Sequence, residues 1–347
     1  MRWKLGGGVA AIAMLGAVTG SATDSRVAQR AAWRATYAVP ATIPFPDENP
    51  YSRAKADLGR KLFFDPILSA DRDRACVTCH LPDLAWADGR RRAPTRADSD
   101  MDLRSPSLLN LAWQEGRLGW DGKFRDLESV AFVPISAPGN MGLPVEDAVA
   151  RLSADAAYVA AFKEAYADPG VTKARIEAAL ATFQRLIVSG ASPFDRWIAG
   201  DEAAIPVAAK RGFDLFNGRA NCAACHGGWA FTDGSFHDIG TAVGADLGRG
   251  RFVTNSQALR YAFKTPGLRE VAGRGAYMHD GSIATLEAVI DLYDRGGIDR
   301  PSRSPEIRPL NLSADEKSDL LAFLRTLTSE SGTGPALAEL TEAAPRP

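Results

Sequence analysis

Two copies of the pentapeptide Cys-x-x-Cys-His carry the chemistry that this sequence indicates most strongly. In each copy the two thiols can form thioether bonds to a haem, while the histidine becomes an axial ligand of the iron. A redox dithiol or half of a zinc site would explain one Cys-x-x-Cys pair, but two copies that both end in histidine favour haem. The predicted haem-binding residues are Cys76, Cys79 and His80 in the first motif and Cys222, Cys225 and His226 in the second.

The cysteine count and the net charge exclude other classes of site. The chain has four cysteines, and the two motifs use all of them. We therefore expect no disulfide, and we predict two covalently bound c-type haems as the cofactors. The formal net charge of −1 gives no electrostatic basis for binding nucleic acid.

The segments around the two motifs form a diluted internal repeat. An apolar helical stretch precedes each motif, at residues 58–63 and 210–216, and a turn containing Asp-Gly follows it, at residues 85–89 and 230–234. A helix, a haem-binding turn and a second turn in the same order are typical of two cytochrome c-like units. We therefore predict a mainly α fold, with two cytochrome c-like haem domains in tandem and long loops.

The domain limits follow from the periodicity of the remaining chain. We expect the N-terminal domain at residues 40–195 and the C-terminal domain at residues 196–328. Strand patterns are weak and apolar residues recur at helical spacing. Further helices are predicted within residues 145–166, 172–188, 285–293 and 320–327, the last preceded by a capping-box sequence at Ser313; residues 90–104 and 296–309 are expected to be loops.

The two ends of the chain have distinctive compositions. Arg2 and Lys4 precede an apolar run at residues 5–18 and a small-residue cleavage site, which is typical of a secretory signal. The run is shorter than the about 20 residues that a membrane-spanning helix needs. We predict a signal peptide at residues 1–22, a periplasmic mature protein without a stable membrane span, and a disordered tail, rich in Ala, Glu and Pro, at residues 329–347.

Seven segments of the chain, including the first Cys-x-x-Cys-His motif with its surroundings and two segments of the second unit, resemble the bacterial diheme cytochrome c peroxidases and, more closely, their methylamine-utilisation (MauG-type) relatives. The resemblance covers residues 40–330 in the order of the family. It implies that the haem on His80 reacts with peroxide and that the haem on His226 is six-coordinate and relays electrons. It also implies that Trp120, in a Trp-Asp-Gly segment, lies between the haems as an electron bridge. The matching segments are residues 55–64, 76–89, 104–110, 120–122, 127–141, 263–266 and 278–282.

The second ligand of the C-terminal iron distinguishes the subtypes of this family. Ordinary diheme peroxidases have Met fourteen residues after the His of the His-Asp-Gly segment, whereas MauG-type enzymes have Tyr, and this chain has Tyr293. A phenolate would favour ferric iron and lower its potential. Tyr293 also continues an apolar helical face, so a packing role is the alternative, and Met278 is the second candidate ligand. His237 and His279 are expected to bond a propionate or a carbonyl near the haem.

The residues expected around peroxide depart from the family pattern. Positions at which the family has a Glu and a Gln are occupied here by Asn140 and Val130. Asn can hydrogen-bond peroxide but cannot transfer a proton, so either another carboxylate, for example Glu128 or Asp126, reaches in or cleavage of the O–O bond is slow. The alternative role for these two acids is a solvated helix face. There is no histidine between His80 and His226, so the resemblance implies an open or water-bound N-terminal iron, without a gating histidine.

The resemblance also suggests calcium as a further cofactor. The family often holds this ion between the haems through carbonyl oxygens and one Asn side chain. Here the Asn position matches Arg104, and the carbonyl donors match Arg274 and Ala276. A divalent cation beside an arginine is unfavourable, so calcium is doubtful in this chain.

The predicted function is that of a periplasmic diheme peroxidase-like oxidoreductase. It would react with hydrogen peroxide at the N-terminal haem and exchange electrons through the C-terminal haem. Its partner would be a small c-type cytochrome, a cupredoxin, or a side chain of a protein substrate, as in MauG. The MauG-type route through a surface tryptophan near the C-terminal motif is not assured. The residues just ahead of Cys222 are Arg219, Ala220 and Asn221, and Trp229 lies just after the motif. The alternative, which Val130 and Asn140 support, is a diheme electron-transfer cytochrome without peroxidase activity.

Overall fold

The computed structural model describes residues 22–97, 99–114, 116–332, 334, 337 and 339. The predicted signal peptide lies outside this part of the chain except for its last residue, Ala22. The mainly helical class is confirmed. Two short strands, β1 (Phe236–His237) and β2 (Phe263–Lys264), pair antiparallel. The helices are α1 (Ala22–Tyr37), α2 (Arg53–Phe64), α3 (Leu127–Val130), α4 (Phe132–Ser136), α5 (Val145–Ser153), α6 (Ala156–Tyr166), α7 (Lys173–Arg185), α8 (Pro193–Ala199), α9 (Val207–Asn217), α10 (Ala223–His226), α11 (Leu286–Arg295) and α12 (Ala314–Arg325).

The internal repeat corresponds to two equivalent helix crossings. In the first unit α2 packs on α7, and in the second α9 packs on α12. A Cβ atom added to Gly59 would lie 2.0 Å from the carbonyl oxygen of Ala179, and one added to Gly212 would lie 2.0 Å from that of Asp319. Because glycine has no side chain, the backbones of each pair can touch where the helices cross. The same glycine in the helix before each motif therefore fixes the same crossing in both units.

Each unit has its own apolar core. The first core is built mainly from aliphatic and aromatic residues of α2, α5, α6 and α7. The second contains tilted and edge-on aromatic rings, with Phe213 lying 5.2 Å from Phe194 and 5.3 Å from Phe323 between ring centroids. Buried aromatic pairs of this kind stabilise a core beyond the area that they bury.

The predicted boundary at residues 195 and 196 falls within α8, which packs with the second unit. Ser192 caps α8 through a capping box with Asp195. Phe194 and Trp197 on this helix are buried in the second core. The capping residues thus start a helix whose apolar face belongs to the second unit, and α8 joins that unit as a whole.

Each described end of the chain packs on the unit farther from it in sequence, which the sequence did not predict. Helix α1 packs on the second unit, where Tyr37 is 2% exposed and donates a 2.6 Å hydrogen bond to Asn217. At the other end, Ser329 is buried and donates to Glu270, and Leu337 is buried in the first core. Within the tail predicted to be disordered, a polar contact therefore holds Ser329 and an apolar contact holds Leu337, and most of the remaining tail lies outside the described residues.

Caps set the limits of the predicted helices. The stretch at residues 145–166 is two helices, because the carboxylate of Asp155 accepts hydrogen bonds from the amides of Ala157 and Tyr158 and starts α6. Thr172 caps α7 and Thr285 caps α11. The capping box at Ser313 is present, with Glu316 as its partner. Among the residues that the structure describes, no helix is long and apolar enough to cross a membrane.

Candidate haem sites and the cavity between them

Both pentapeptides line one continuous cavity of about 770 Å³. The first motif lies on a single helical turn at Cys76–Thr78, and the second leads into α10. All four cysteines are unpaired and half-buried. Burial raises the pKa of the Cys76 and Cys222 thiols to about 12. Surroundings that disfavour a thiolate suit neutral thioethers better than a zinc site or a reactive dithiol, so the residues fit two c-type haems.

Each motif histidine is oriented by a backbone carbonyl. The Nδ1 atom of His80 lies 3.1 Å from the carbonyl oxygen of Trp86, and that of His226 lies 2.9 Å from that of Phe231. Burial lowers the pKa of both imidazoles, which favours the neutral form. With the Nδ1 proton held by the carbonyl, Nε2 is the nitrogen left for iron.

The two carbonyls come from equivalent turns of the internal repeat. Trp86 and Phe231 both have left-handed backbones, with φ of 57° and 56°. Each residue stands three positions before the glycine of its Asp-Gly turn, and this conformation points its carbonyl back at the histidine. The repeat identified these turns, but their role as histidine partners became visible only in the structure.

The two candidate ligands of the C-terminal iron both line the cavity. Tyr293 projects from α11 next to Cys222 and Cys225, and burial raises the pKa of its hydroxyl. Within the described part of the chain, that hydroxyl has no hydrogen-bond partner. Met278 lies on the loop before α11, with a left-handed φ of 72°. A phenol without a partner, close to the C-terminal motif, has the chemistry of an iron ligand.

His237 and His279, which were expected to bond a propionate or a carbonyl, both have side-chain partners in the protein. The Nε2 atom of His237 lies 2.7 Å from Asp233, and its Nδ1 lies 3.1 Å from Ser304. The Nε2 atom of His279 lies 2.7 Å from Asp246, and its ring stacks on Phe263 at 3.6 Å. Nearby acidic side chains therefore engage both Nε2 atoms.

Trp120 lines the cavity and is held by both units. Its indole Nε1 donates a 2.9 Å hydrogen bond to the carbonyl of Arg104 in the first unit. Its own carbonyl accepts a 2.8 Å hydrogen bond from the amide of Lys264, on β2 of the second unit. The side chain is half-buried. Its ring is thus fixed at the junction of the two units.

The cavity wall near the first motif includes Val130, Pro134 and Asn140. Asn140 is half-buried, and its side-chain amide has no hydrogen-bond partner among the described residues. This amide is free to bind a small polar molecule. It carries no titratable proton, so it cannot act as acid and base in turn.

Glu128 and Asp126, the carboxylates expected to reach the peroxide site, do not line the cavity. Leu127 and Val130 of α3 line the cavity, whereas Glu128, about 100° further round the helix than Leu127, faces α7. There it accepts hydrogen bonds of 2.7 and 3.1 Å from Arg185. The carboxylate of Asp126 caps α3 by accepting from Ser129.

The pKa of Glu128 agrees with this structural role. Burial opposes its ionisation, but hydrogen bonds from Arg185 and Asn49 outweigh burial and lower the pKa of the carboxyl. A carboxylate held ionised by two partners has no proton to donate. The carboxylates that do line the cavity are Asp102, Asp121 and Glu306, none of which the sequence pattern singled out.

The residues present do not fit calcium between the motifs. Arg104 is 4% exposed, and its guanidinium donates to the carbonyl of Arg274, the oxygen expected to bind the ion, and to that of Arg90. Arg274 is itself buried. Burial, with repulsion from Arg104, lowers the pKa of the Arg274 guanidinium to about 10, so both side chains stay charged at neutral pH. Two buried cations already occupy the place of a divalent ion.

Sequence and structure comparisons agree with this arrangement. The family model for di-haem cytochrome c peroxidase matches residues 53–203, and the cytochrome c model matches residues 209–328. The methylamine utilization protein MauG of Methylorubrum extorquens is 50% identical over 293 residues, which cover 84% of this chain and 83% of that protein. This chain belongs to the di-haem cytochrome c peroxidase family.

Two further relatives extend the comparison within the family. Cytochrome-c peroxidase IdrP1 of Denitromonas iodatirespirans is 34% identical over 320 residues, covering 82% of this chain and 84% of that protein. The crystal structure of a MauG-like protein associated with microbial copper homeostasis superposes with a TM-score of 0.78 at 33% identity, covering 85% of this chain and 95% of that one. The predictions of a MauG-like diheme oxidoreductase and of two c-type haems are confirmed. Membership in the family implies hydrogen peroxide as substrate.

Proposed function

We propose that the protein is a periplasmic MauG-like peroxidase that reduces hydrogen peroxide at the His80 site with electrons that cross Trp120 from the His226 site. Each turnover takes two electrons and two protons and converts one peroxide into two waters. Bound haem supplies the iron that reacts with peroxide and exchanges electrons. The observation that carries the proposal is the position of Trp120, which lines the cavity shared by both motifs and is hydrogen-bonded to both units.

Trp120 suits the role of a bridge for a chemical reason. An indole can lose and regain an electron, and its ring is fixed by the hydrogen bond to Arg104, so its distance to both sites varies little. A rigid intermediate position shortens each electron-transfer step. The alternative role, core packing, would not require hydrogen bonds from both units to the same residue.

Tyr293 supports the MauG-like form of the reaction over that of an ordinary peroxidase. A phenolate oxygen stabilises the oxidised states of iron, whereas a thioether stabilises the ferrous state. The unpartnered Tyr293 hydroxyl beside the C-terminal motif supports this ligand over Met278. Such a site would hold oxidising equivalents until a partner arrives.

The electron source that we propose is a partner protein, through an oxidisable side chain or through the metal of a small cytochrome or cupredoxin. Tyr293 and the lack of a histidine between the two motif histidines favour oxidation of a side chain. Relatives of this chain bear names from methylamine utilization and from copper homeostasis. Those two processes differ, so family membership leaves the partner of this protein to be identified.

The test is to mix the purified diferric protein with one equivalent of peroxide and follow the Soret and near-infrared absorption. Rapid changes in the bands of both haems, without prior reduction, are expected. A reaction that requires the half-reduced protein would indicate an ordinary cytochrome c peroxidase. Unchanged spectra in both states would leave the electron-transfer cytochrome as the better description.

A further inference from the structure

A basic surface covers the outside of the segment that carries Trp120. After Asp246, the loop between β1 and β2 contains Arg249, Arg251 and Arg260 and no acidic residue before β2. The chain as a whole has 41 Lys and Arg against 42 Asp and Glu, so this run departs from the average composition. Most of its residues between 251 and 260 are exposed.

This loop packs directly on the Trp120 hairpin. Residues Leu118 and Phe124 pair as an isolated antiparallel bridge, with Trp120 between them. The guanidinium of Arg249 donates a 2.8 Å hydrogen bond to the carbonyl of Gly122 in the hairpin. A Cβ atom on Gly122 would lie 2.5 Å from the ring of Phe236 on β1, whose other residue, His237, lines the cavity. The loop, the hairpin and β1 are therefore in close contact.

The hairpin adds two more cations to the same surface. Arg117 and Lys123 flank Trp120 and are exposed. Arg117 is close enough to Arg249 that its repulsion, added to burial, lowers the pKa of the Arg249 guanidinium. In the described part of the chain, Arg117, Lys123 and Arg260 form no ion pair. Like charges that lack acidic partners raise the local potential and attract anionic groups.

The cations surround exposed apolar side chains. Phe252 is 47% exposed, with the guanidinium of Arg249 lying 5.6 Å from the centre of its ring. Val243 is 64% exposed, and the neighbouring carbonyl of Gly244 accepts a hydrogen bond from Tyr261, which follows Arg260. An apolar centre with a charged rim is the usual organisation of a protein-binding surface.

We infer that this basic surface, formed by Arg117, Lys123, Arg249, Arg251 and Arg260 around Phe252, binds the acidic face of an electron-donating protein. The inference rests on the proposed function and adds where the partner binds and what charge it carries. Two bound partners in succession would each pass one electron to the C-terminal site, from which the electrons cross Trp120 to the His80 site. One peroxide would take up those two electrons with two protons and leave as two waters.

The test compares two triple variants with the same change in net charge. Arg117→Glu/Lys123→Glu/Arg260→Glu reverses cations of the basic surface that hold no ion pair in the described structure. Arg53→Glu/Arg196→Glu/Arg325→Glu reverses exposed cations on α2, α8 and α12, whose surface ion pairs stabilise the fold little. The probes are a reduced acidic cupredoxin and a reduced basic cytochrome c. Peroxide-dependent oxidation of each probe is followed by stopped flow at several salt concentrations.

We expect the first triple variant to slow oxidation of the acidic cupredoxin by about tenfold or more at low salt and to remove most of its salt dependence. It should not slow oxidation of the basic cytochrome. The second triple variant should behave as wild type with the acidic probe. Equal losses in both variants, or no loss in the first, would overturn the inference.

The failure of the proposed function is separated from the failure of this inference by two controls. The reaction of each protein with peroxide alone tests the proposed function, since it needs no partner. Binding of the oxidised acidic cupredoxin at low salt, measured calorimetrically without peroxide, tests the inferred binding surface. If the wild-type protein binds the probe but does not react with peroxide, the inferred binding surface is supported and the proposed peroxidase function is refuted. Normal reactivity with peroxide together with unaltered probe binding in the first triple variant would refute the basic surface as the binding site and leave the proposed peroxidase function intact.

Discussion

The indole of Trp120 donates a 2.9 Å hydrogen bond to the carbonyl of Arg104, whose own guanidinium donates to the carbonyl of Arg274. One residue thereby fixes the proposed electron bridge through its backbone and supplies a buried cation through its side chain. The position of the bridge and the charge between the two haem sites are coupled in this chain. A metal ion is not needed to join the two units at this point.

Replacing Trp120 with Phe should keep both haems bound and slow electron exchange between the two sites. Phenylalanine preserves an aromatic ring but is harder to oxidise and cannot donate to Arg104. Flash reduction followed by time-resolved absorption measures the rate of equilibration. Trp113→Phe is the matched control, because that tryptophan packs edge-on against Trp229, 4.8 Å between centroids, and does not line the cavity. An unaltered rate of electron equilibration in Trp120→Phe would show that Trp120 is not the electron bridge.

Replacing Tyr293 with Phe should change the spectrum of the C-terminal haem and raise its potential. Loss of a phenolate ligand removes the group that stabilises ferric iron. Redox titration with resonance Raman spectroscopy measures both effects. Tyr166→Phe, whose hydroxyl bonds the carbonyl of Arg175, serves as the control. Identical spectra for wild type and Tyr293→Phe would assign the ligand position to another residue, with Met278→Leu as the next variant.

Replacing Asn140 with Glu should accelerate the reaction with peroxide by about 10²-fold, because it introduces a proton-transferring group into the wall of the cavity. The rate should then follow the ionisation of the new carboxyl, which stopped-flow measurements over a pH series detect. Asn140→Gln provides an amide of the same length as the control. A variant no faster than Asn140→Gln would show that proton transfer at this position does not limit the reaction.

Replacing Glu128 with Gln should destabilise the fold and leave the peroxide reaction intact, because Arg185 loses the charge of its partner. The loss should be about 3 kcal/mol at neutral pH, as for a broken buried ion pair. Thermal and urea unfolding of the holoprotein measure it. Glu287→Gln, which breaks an exposed pair with Arg325, should change stability by less than about 0.5 kcal/mol. If Glu128→Gln slows the peroxide reaction but has normal stability, Glu128 takes part in the reaction with peroxide.

The same ion pair should contribute a defined pH dependence. The pKa of Glu128 is lowered in the folded protein, so the unfolded state binds a proton first as pH falls. The stabilising contribution is complete above the unfolded value of about 4.3 and is lost as pH falls through the lower folded value. The stability gap between wild type and Glu128→Gln should therefore narrow below about pH 4. A gap that is constant from pH 7 to pH 3 would contradict the ion pair.

The sequence by itself determined the features that depend on short spacing along the chain. Two thiols and a histidine within five residues can bind a haem in any fold that exposes one face of the turn, so both motifs were identifiable. The apolar helical stretch before each motif and the Asp-Gly turn after it indicated two similar units. Caps such as Ser313 satisfy local amides, which made helix starts predictable.

Only the tertiary structure decided which side chains meet. Glu128 and Val130 are two residues apart, yet one faces Arg185 and the other faces the cavity, because a helix rotates about 100° per residue. The attachment of α1 to the second unit and of Leu337 to the first depends on apolar surfaces distant in sequence. Contacts across such separations are set by the packing of whole units, and no local pattern encodes them.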